Sequence, residues 1–479
     1  MKRTSLLSHG TILYALLFAS LPAFAQTFFG SGGVTNSATD ASNVGLGGSV
    51  LYINTTGSWN TATGNHALAS NTEGSNNTAV GAYGLASNTT GTGNSALGFY
   101  ALFANTTGFH NTGAGYQVLF SNTTGIQNTA IGYYALNTNT TGSFNSASGY
   151  QALYANTAGN NNLANGFQSL FYNTTGYNNA ANGFQALYTN ATGNNNTASG
   201  AYTLFSNTAG GGNSANGYYA LYRNTTGSYN TANGYQSLFK NASGSYNTAQ
   251  GYNSLYNASR GRFNIGIGYA AGYNITTGSN NIAIGNLAAT LDNGMIRIGT
   301  TGTHTATFIA GINGSTASSG VAVYVDSNGQ LGTITSSRRF KNDIKTMGTV
   351  SDKLLQLRPV TFRYKVADEK GGHPMQYGLI AEEVAKVFPD LVQYDKAGKP
   401  FTVRYHLLTP MILNELQKSR REIVEVKSSQ NAKISRLEAE LAAMKQAQAK
   451  QQELLARLAA YIQNGKKSAT TEKANFVQH

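Results

Sequence analysis

Asn128-Thr129-Ala130-Ile131-Gly132-Tyr133-Tyr134-Ala135-Leu136-Asn137-Thr138-Asn139-Thr140-Thr141-Gly142-Ser143-Phe144 decides the reading of this chain, because Asn145 then begins the same pattern again. The motif Asn-x-x-x-Gly starts at Asn60 and recurs at this constant spacing through Asn77, Asn94 and onward to Asn281, fourteen copies in all. A second motif, of the type Asn-Thr-Thr-Gly, starts at Asn54 and keeps the same 17-residue period to Asn241. Between the two a leucine holds register from Leu68 to Leu255. In most units an aromatic residue follows it, as in Phe103, Phe120, Tyr154, Phe171 and Tyr188. Another aromatic commonly follows the first glycine, as in Phe99, Tyr116, Tyr133, Tyr150 and Phe167.

A unit this short cannot enclose a core of its own, so its apolar residues are buried only if successive units stack. The expected fold is therefore mainly β: a parallel β-solenoid of 17-residue coils over residues 54–290. Gly and Asn are expected to supply positive-φ corners. Short strands between the corners would pair with the coils above and below, and the polar columns would form side-chain ladders. At about 4.8 Å per coil the rod would be roughly 65 Å long. A helical alternative fails because Gly and Asn, present in every unit, are poor helix formers.

The segments Asn264-Ile265-Gly266-Ile267-Gly268 and Asn281-Ile282-Ala283-Ile284-Gly285 make this region resemble the left-handed β-roll heads of trimeric autotransporter adhesins. The spacing here is longer than in the best-known heads. The resemblance implies three parallel rolls packed side by side, with an aromatic column filling the trimer centre. That family anchors itself through a C-terminal membrane barrel, which has no counterpart here, so no transmembrane anchor is expected.

Composition narrows the function. The 479 residues include 56 Gly and only 6 Pro, 11% are charged, and there is no Cys, which leaves no disulfide framework and no thiolate metal site. No cofactor or metal is expected. Residues 1–25 join a basic start (Lys2, Arg3) to an apolar stretch and the small-residue sequence Ala23-Phe24-Ala25, the layout of a secretory signal. The mature chain would begin at Gln26, and its expected location is secreted or on the cell surface. The net charge of +13 does not indicate nucleic acid. Residues 26–330 hold only five basic and four acidic residues, and the excess lies in 331–479, in helical patterns where mixed charge marks a solvated face. Calcium-binding coils would need a recurring Asp that the repeats lack. Polysaccharide cleavage needs a close carboxylate pair, and four acids spread over some 300 residues offer none. Surface carbohydrate, a host or abiotic surface, or ice stay open as ligands of the Thr and aromatic columns. The blander reading assigns those columns to packing and corners.

The period ends near residue 291, and a Thr/Gly/Ile-rich segment with alternating Val321, Val323 and Val325 runs to Thr335 as an expected β-rich neck. Ser336-Ser337-Arg338-Arg339-Phe340-Lys341-Asn342-Asp343-Ile344 follows. By spacing alone, a Ser and a Lys five apart read as a basic loop leading into a solvated helix. Further on come Leu354-Leu355-Gln356-Leu357-Arg358-Pro359-Val360-Thr361-Phe362, then Tyr377-Gly378-Leu379-Ile380-Ala381-Glu382-Glu383-Val384, then Phe388-Pro389, and the stretch from Tyr405 to Leu416. With these, residues 336–465 resemble the endosialidase-type intramolecular chaperone, the auto-processing domain of phage tail spikes. The resemblance implies one self-cleavage between Thr335 and Ser336 after trimer assembly, by a Ser-Lys dyad with Ser336 as nucleophile and Lys341 as base. This would be a single-turnover serine endopeptidase with no external substrate. Ser337 is an alternative hydroxyl, and the family's five-residue offset to Lys favours Ser336. His373 and His406 are read as structural or exposed.

Residues 336–414 are thus read as the chaperone domain, 415–464 as a coiled coil and 465–479 as a disordered tail. The coiled-coil seam is Ile434, Leu437, Leu441, Met444, Leu455, Leu458 and Ile462, with polar layers at Gln448 and Gln451. The whole reads as an exported homotrimeric surface fibre, adhesive or structural, with a self-removing assembly domain. The alternative is a non-cleaving trimeric stalk that retains the domain.

Overall fold

The structure, a computed structural model, describes residues 27–29, 42–367, 371–395 and 397–474. The expected signal sequence of residues 1–25 and the expected mature start at Gln26 lie outside the described residues. The chain divides into two compact units, Met1–Ile309 and Ala310–His479.

The first unit is the solenoid. Among the described residues, seventeen three-residue strands from Thr27–Phe29 to Ile296–Ile298 pair one after the next in a single parallel sheet. Each strand from Val44–Leu46 to Ile282–Ile284 is the x-x-x of Asn-x-x-x-Gly, and each pairs in step with its counterpart one coil on: Thr129 opposite Ser146, Ala130 opposite Ala147, Ile131 opposite Ser148. From Val44–Leu46 to Ile282–Ile284 the central residue of each strand points inward. With the leucine column it makes a continuous core, in which Ala130, Leu136, Ala147 and Leu153 are buried. The solenoid starts earlier than residue 54. Asn43-Val44-Gly45-Leu46-Gly47 is a further copy of the motif, and its Asn43 side chain receives the Asn60 N–H at 2.9 Å. At the other end the last coil is shorter than the rest, placing Ile282 opposite Ile296. There Asp292 closes the last coil, accepting from the Ala289 N–H at 2.8 Å and from both the Nε and an Nη of Arg297.

The corners differ from expectation. The glycine ending each strand does take positive φ (Gly132, 133°), but the other left-handed residues are the leucine (Leu136, 50°), the residue two before it (Tyr134, 58°) and the one preceding the motif Asn (Phe144, 58°). Asn takes a left-handed corner only where it precedes the motif Asn, as at Asn76, Asn161, Asn178 and Asn195, or two before the leucine, as at Asn253, while the asparagines of the two recurring motifs act through their side chains. Asn145 donates from Nδ2 to Asn128 Oδ1 at 3.1 Å and to Gly159 O at 2.8 Å, while its backbone N–H reaches the same Oδ1 at 3.0 Å. In the second column Asn156 Nδ2 donates to Asn139 Oδ1 at 2.6 Å and Gly159 O at 3.0 Å, and its own Oδ1 accepts from Asn173 at 2.8 Å. Two buried amide ladders thus run up the rod, satisfying carbonyls that burial would otherwise orphan. The second ladder stops where Ala258 replaces Asn, and there Asn241 Oδ1 is left without a partner. Asn156→Ala should therefore orphan groups in both neighbouring coils. We expect a loss of about 2–4 kcal/mol, read as a lower denaturation midpoint.

The second unit begins in largely exposed chain. The neck holds a two-stranded hairpin, Tyr324–Val325 with Leu331–Gly332, rather than a continuous β layer, and Val321, Val323 and Val325 are all exposed. Beyond it lie a 3-10 helix Val350–Gln356, a hairpin of Val360–Phe362 with Gln376–Gly378, helix α1 (Ala381–Val387), a hairpin of Val392–Tyr394 with Pro400–Val403, and helix α2 (Tyr405–Ala474). Val384, Phe388, Leu391, Val392, Val403 and Met411 form its small core, with Leu354, Leu357 and Leu379 packed on it. Helix α2 continues through Gly465 to Ala474, past the point where the sequence suggested disorder. One glycine costs only about 1 kcal/mol inside a helix, and Lys466, Lys467 and Ala469 are compatible with it. Residues 475–479 lie outside the described residues.

Candidate active site

Ser336 and Lys341 sit at the two ends of one tight turn. Arg338–Phe340 forms a single 3-10 turn, closed by Phe340 N–H to Ser337 O and Lys341 N–H to Arg338 O, each at 3.0 Å. That turn folds the chain back far enough for Lys341 Nζ to donate to Ser336 Oγ at 3.2 Å. The Arg339 guanidinium lies over the Phe340 ring, 4.6 Å from its centroid, which holds the turn's far side. Both members of the pair are exposed in the single chain, as is Thr335. Among the described residues no third side chain is hydrogen-bonded to either. Ser337 makes no side-chain cap bond. His373 Nδ1 lies 2.8 Å from Tyr364 O, and the His406 ring meets Tyr324 edge-on at 4.8 Å, so both histidines are engaged elsewhere.

Residues of the motifs that carried the resemblance are bonded to one another. Arg358 and Glu383 form a two-pronged ion pair, Nη2 to Oε1 at 2.5 Å and Nε to Oε2 at 3.2 Å. The Arg358 bonds hold the Glu383 carboxyl below the usual carboxylate range. The Tyr405 hydroxyl accepts the Leu379 N–H at 2.8 Å. It can do so because a Cβ at Gly378 would stand 2.6 Å from that oxygen, closer than any side chain allows.

A polar clasp that the sequence reading missed ties the Val350–Gln356 turn to α2. Ser351 is buried, and its hydroxyl is bonded to Glu415, Asn414 and Lys418. Lys418 also donates to Glu415 at 2.8 Å and to Asp352. These partners are 63 to 67 residues apart in sequence, and only the Glu415–Lys418 spacing of three carried any signal. Lys418, then Ser351, hold the Glu415 carboxyl below its ordinary value, and Asp352, then Glu415, hold the Lys418 ammonium above its own. The lowered carboxyl contributes stability above the ordinary Glu value of about 4.3, lost as pH falls through the lowered one; the raised ammonium contributes below about 10.4, lost as pH rises through the raised one. Protection of the α2 start from hydrogen exchange should therefore be level through neutral pH and fall below about pH 4, and Glu415→Gln should lower the plateau while flattening that acid limb.

On the solenoid, the aromatic columns are stacked from coil to coil. Tyr116, Tyr133, Tyr150, Phe167 and Phe184 succeed one another at 5.0 to 5.5 Å with ring planes within 9°. Each ring face is thus covered by the next, and only edges point outward. These stacked rings pack along the rod from one coil to the next. Among the described residues no group of His, Asp and Glu is placed to hold a metal ion. No helix there is long and apolar enough to cross a membrane.

Residues 336–393 match the family model described as chaperone of endosialidase. The match opens at Ser336, and the segment it covers follows a long β-solenoid. Comparison with curated proteins and with solved structures returned no match.

Proposed function

We propose that this chain is an exported fibre subunit that assembles as a homotrimer, guided by its C-terminal chaperone, which then detaches itself between Thr335 and Ser336. The observation that carries the reading is the Ser336–Lys341 contact at 3.2 Å, standing where the chaperone match begins. Trimerisation rests on α2. Its seam residues Ile434, Leu437, Leu441, Met444, Leu455, Leu458 and Ile462 are all exposed in the single chain, and a long helix with an uncovered apolar seam needs partner helices.

The cleavage chemistry balances within the segment. Lys341, as neutral amine, takes the Ser336 hydroxyl proton while Oγ attacks the Thr335 carbonyl carbon. The C–N bond breaks with that proton passing to the departing nitrogen, leaving an ester from Thr335 to Ser336 Oγ. Water hydrolyses the ester, giving a Thr335 carboxylate and a new amino terminus at Ser336. A lysine serves as base only when neutral, and desolvation is what favours that state. Since Lys341 is exposed in the single chain, we assign its desolvation to neighbouring chains, so that the cut waits for assembly. This order suits the rod. Its unpaired end coils and apolar outer positions are aggregation-prone until three chains are in register.

The same exposure favours a second reading, a trimeric stalk that keeps its chaperone uncut. Sedimentation and intact mass of the purified full chain, without added protease, decide between them. A trimer yielding a 144-residue fragment that begins at Ser336 is the expected result. An uncut trimer would leave the stalk, and a monomer would remove the assembly reading altogether.

A further inference from the structure

We infer that a six-isoleucine array on the strand face, at the C-terminal end of the solenoid, is the surface on which three copies of this chain meet. The inference rests on the trimer reading above and adds where the rods touch. Ile265, Ile282 and Ile296 pair in one file, and Ile267, Ile284 and Ile298 in the next, three rungs deep. All six stand at outward strand positions, and Ile296 and Ile298 are 67% and 68% exposed. Of the residues between them, Gly266 and Ala283 are buried, while Arg297 is exposed but ion-paired with Asp292.

The coil itself does not require these isoleucines. Thr231 with Asn233, and Thr248 with Gln250, occupy the same two positions in coils of identical register. Elsewhere the outward strand positions mix single apolar residues such as Val80, Leu97 and Ile131 with Thr, Ser and Asn, whereas here three consecutive rungs are isoleucine at both positions, and a contiguous exposed apolar patch of this kind marks an interaction surface. A second copy is the partner that fits. Copies running parallel about one axis place identical rungs at identical heights, so the files meet themselves along their length. Neither outward strand position carries a charge in any coil from Val44 to Ile298, whereas the solenoid's exposed charges, such as Glu73, Arg223, Lys240 and Arg260, lie elsewhere on the coil. Arg223 and Lys240 cover the rings of Phe239 and Tyr256, which marks the aromatic side as the solvated one. The array also belongs to the last coils before the unit that carries α2, so chains joined through α2 would face one another there at an effective concentration of about millimolar.

The chain has no cysteine, which makes single-cysteine cross-linking clean. Full-length Ile284→Cys and, as control on an exposed position away from the strand face, Thr226→Cys would each be oxidised mildly after sedimentation confirms the wild-type assembly state. Equivalent residues around a three-fold axis approach within disulfide range, so Ile284→Cys should give covalent dimers on a non-reducing gel with one thiol per trimer left free. Thr226→Cys should give none. Sedimenting trimers in which Ile284→Cys stays uncoupled, or in which Thr226→Cys couples equally, would overturn the assigned face while leaving the trimer intact. A monomeric wild type would overturn both.

Discussion

Ser336→Ala protein is expected to purify as an uncut chain, and Lys341→Ala protein likewise, with the fragment beginning at Ser336 absent from both. Members of a catalytic pair act as a unit, so loss of either should slow the cut by a factor of about 10³ or more, beyond detection in a purified sample. Lys341→Arg should be equally dead, because a guanidinium does not give up its proton and cannot serve as base. Ser337→Ala should still be cut, since Lys341 Nζ meets the Ser336 hydroxyl and not that of its neighbour. All four proteins should sediment as trimers. The seam of α2 and the clasp of Ser351, Glu415 and Lys418 involve neither member of the dyad, which separates assembly from processing. A Ser336-initiated fragment persisting in Ser336→Ala would mean that another protease makes it, and the dyad assignment would fall.

The solenoid was legible because its evidence is repetition. Once Asn-x-x-x-Gly returns at a fixed period, a parallel ladder pairing each residue with its counterpart one period on is the arrangement that buries Ala130 and Leu136 in every coil. What repetition does not reveal is how a recurring residue is used. Asn145 and Asn156 recur for their side-chain amides, while the left-handed corner falls on Leu136, a residue no propensity scale would place there. Burial of that leucine offsets its backbone strain, and such an exchange shows only in three dimensions. The coil at Asn43 was overlooked for a plainer reason: no Asn-Thr-Thr-Gly copy precedes it. In the second unit, spacing could nominate Ser336 and Lys341 only weakly, and it was the resemblance of the surrounding motifs that singled them out. The clasp was out of reach altogether, since Ser351 and Glu415 come together across 64 residues through the packing of α2.

Gly132→Ala is expected to cost the solenoid about 3–5 kcal/mol, a value reserved for substitutions that break a structural requirement outright. Two requirements coincide at this glycine. Its φ of 133° lies where L side chains are strained. A Cβ there would also stand 2.4 Å from Gly149 O and 2.8 Å from Gly149 C, both backbone atoms of the next coil that cannot swing aside. Relief would have to come from opening the interface between two coils, which loosens the ladder bonds on either side. Chemical denaturation followed by far-UV circular dichroism would show the lowered midpoint, and hydrogen exchange would show the opening centred on the coils of Gly132 and Gly149. A change smaller than about 0.5 kcal/mol, the size expected of an ordinary surface substitution, would refute the close-approach argument. Gly84 is the internal control, because glycine there is an accident of the repeat: it has ordinary φ, a Cβ would find Gly81 O at 3.4 Å and the Ala79 Cβ at 3.5 Å, and neighbouring coils place Ala67 and Ala101 at the same position. Gly84→Ala should therefore stabilise by about 0.4–1 kcal/mol through the unfolded chain's lost freedom. Opposite signs for one substitution at two glycines of the same period would show that coil-to-coil approach, and not glycine content, is what the 17-residue repeat enforces.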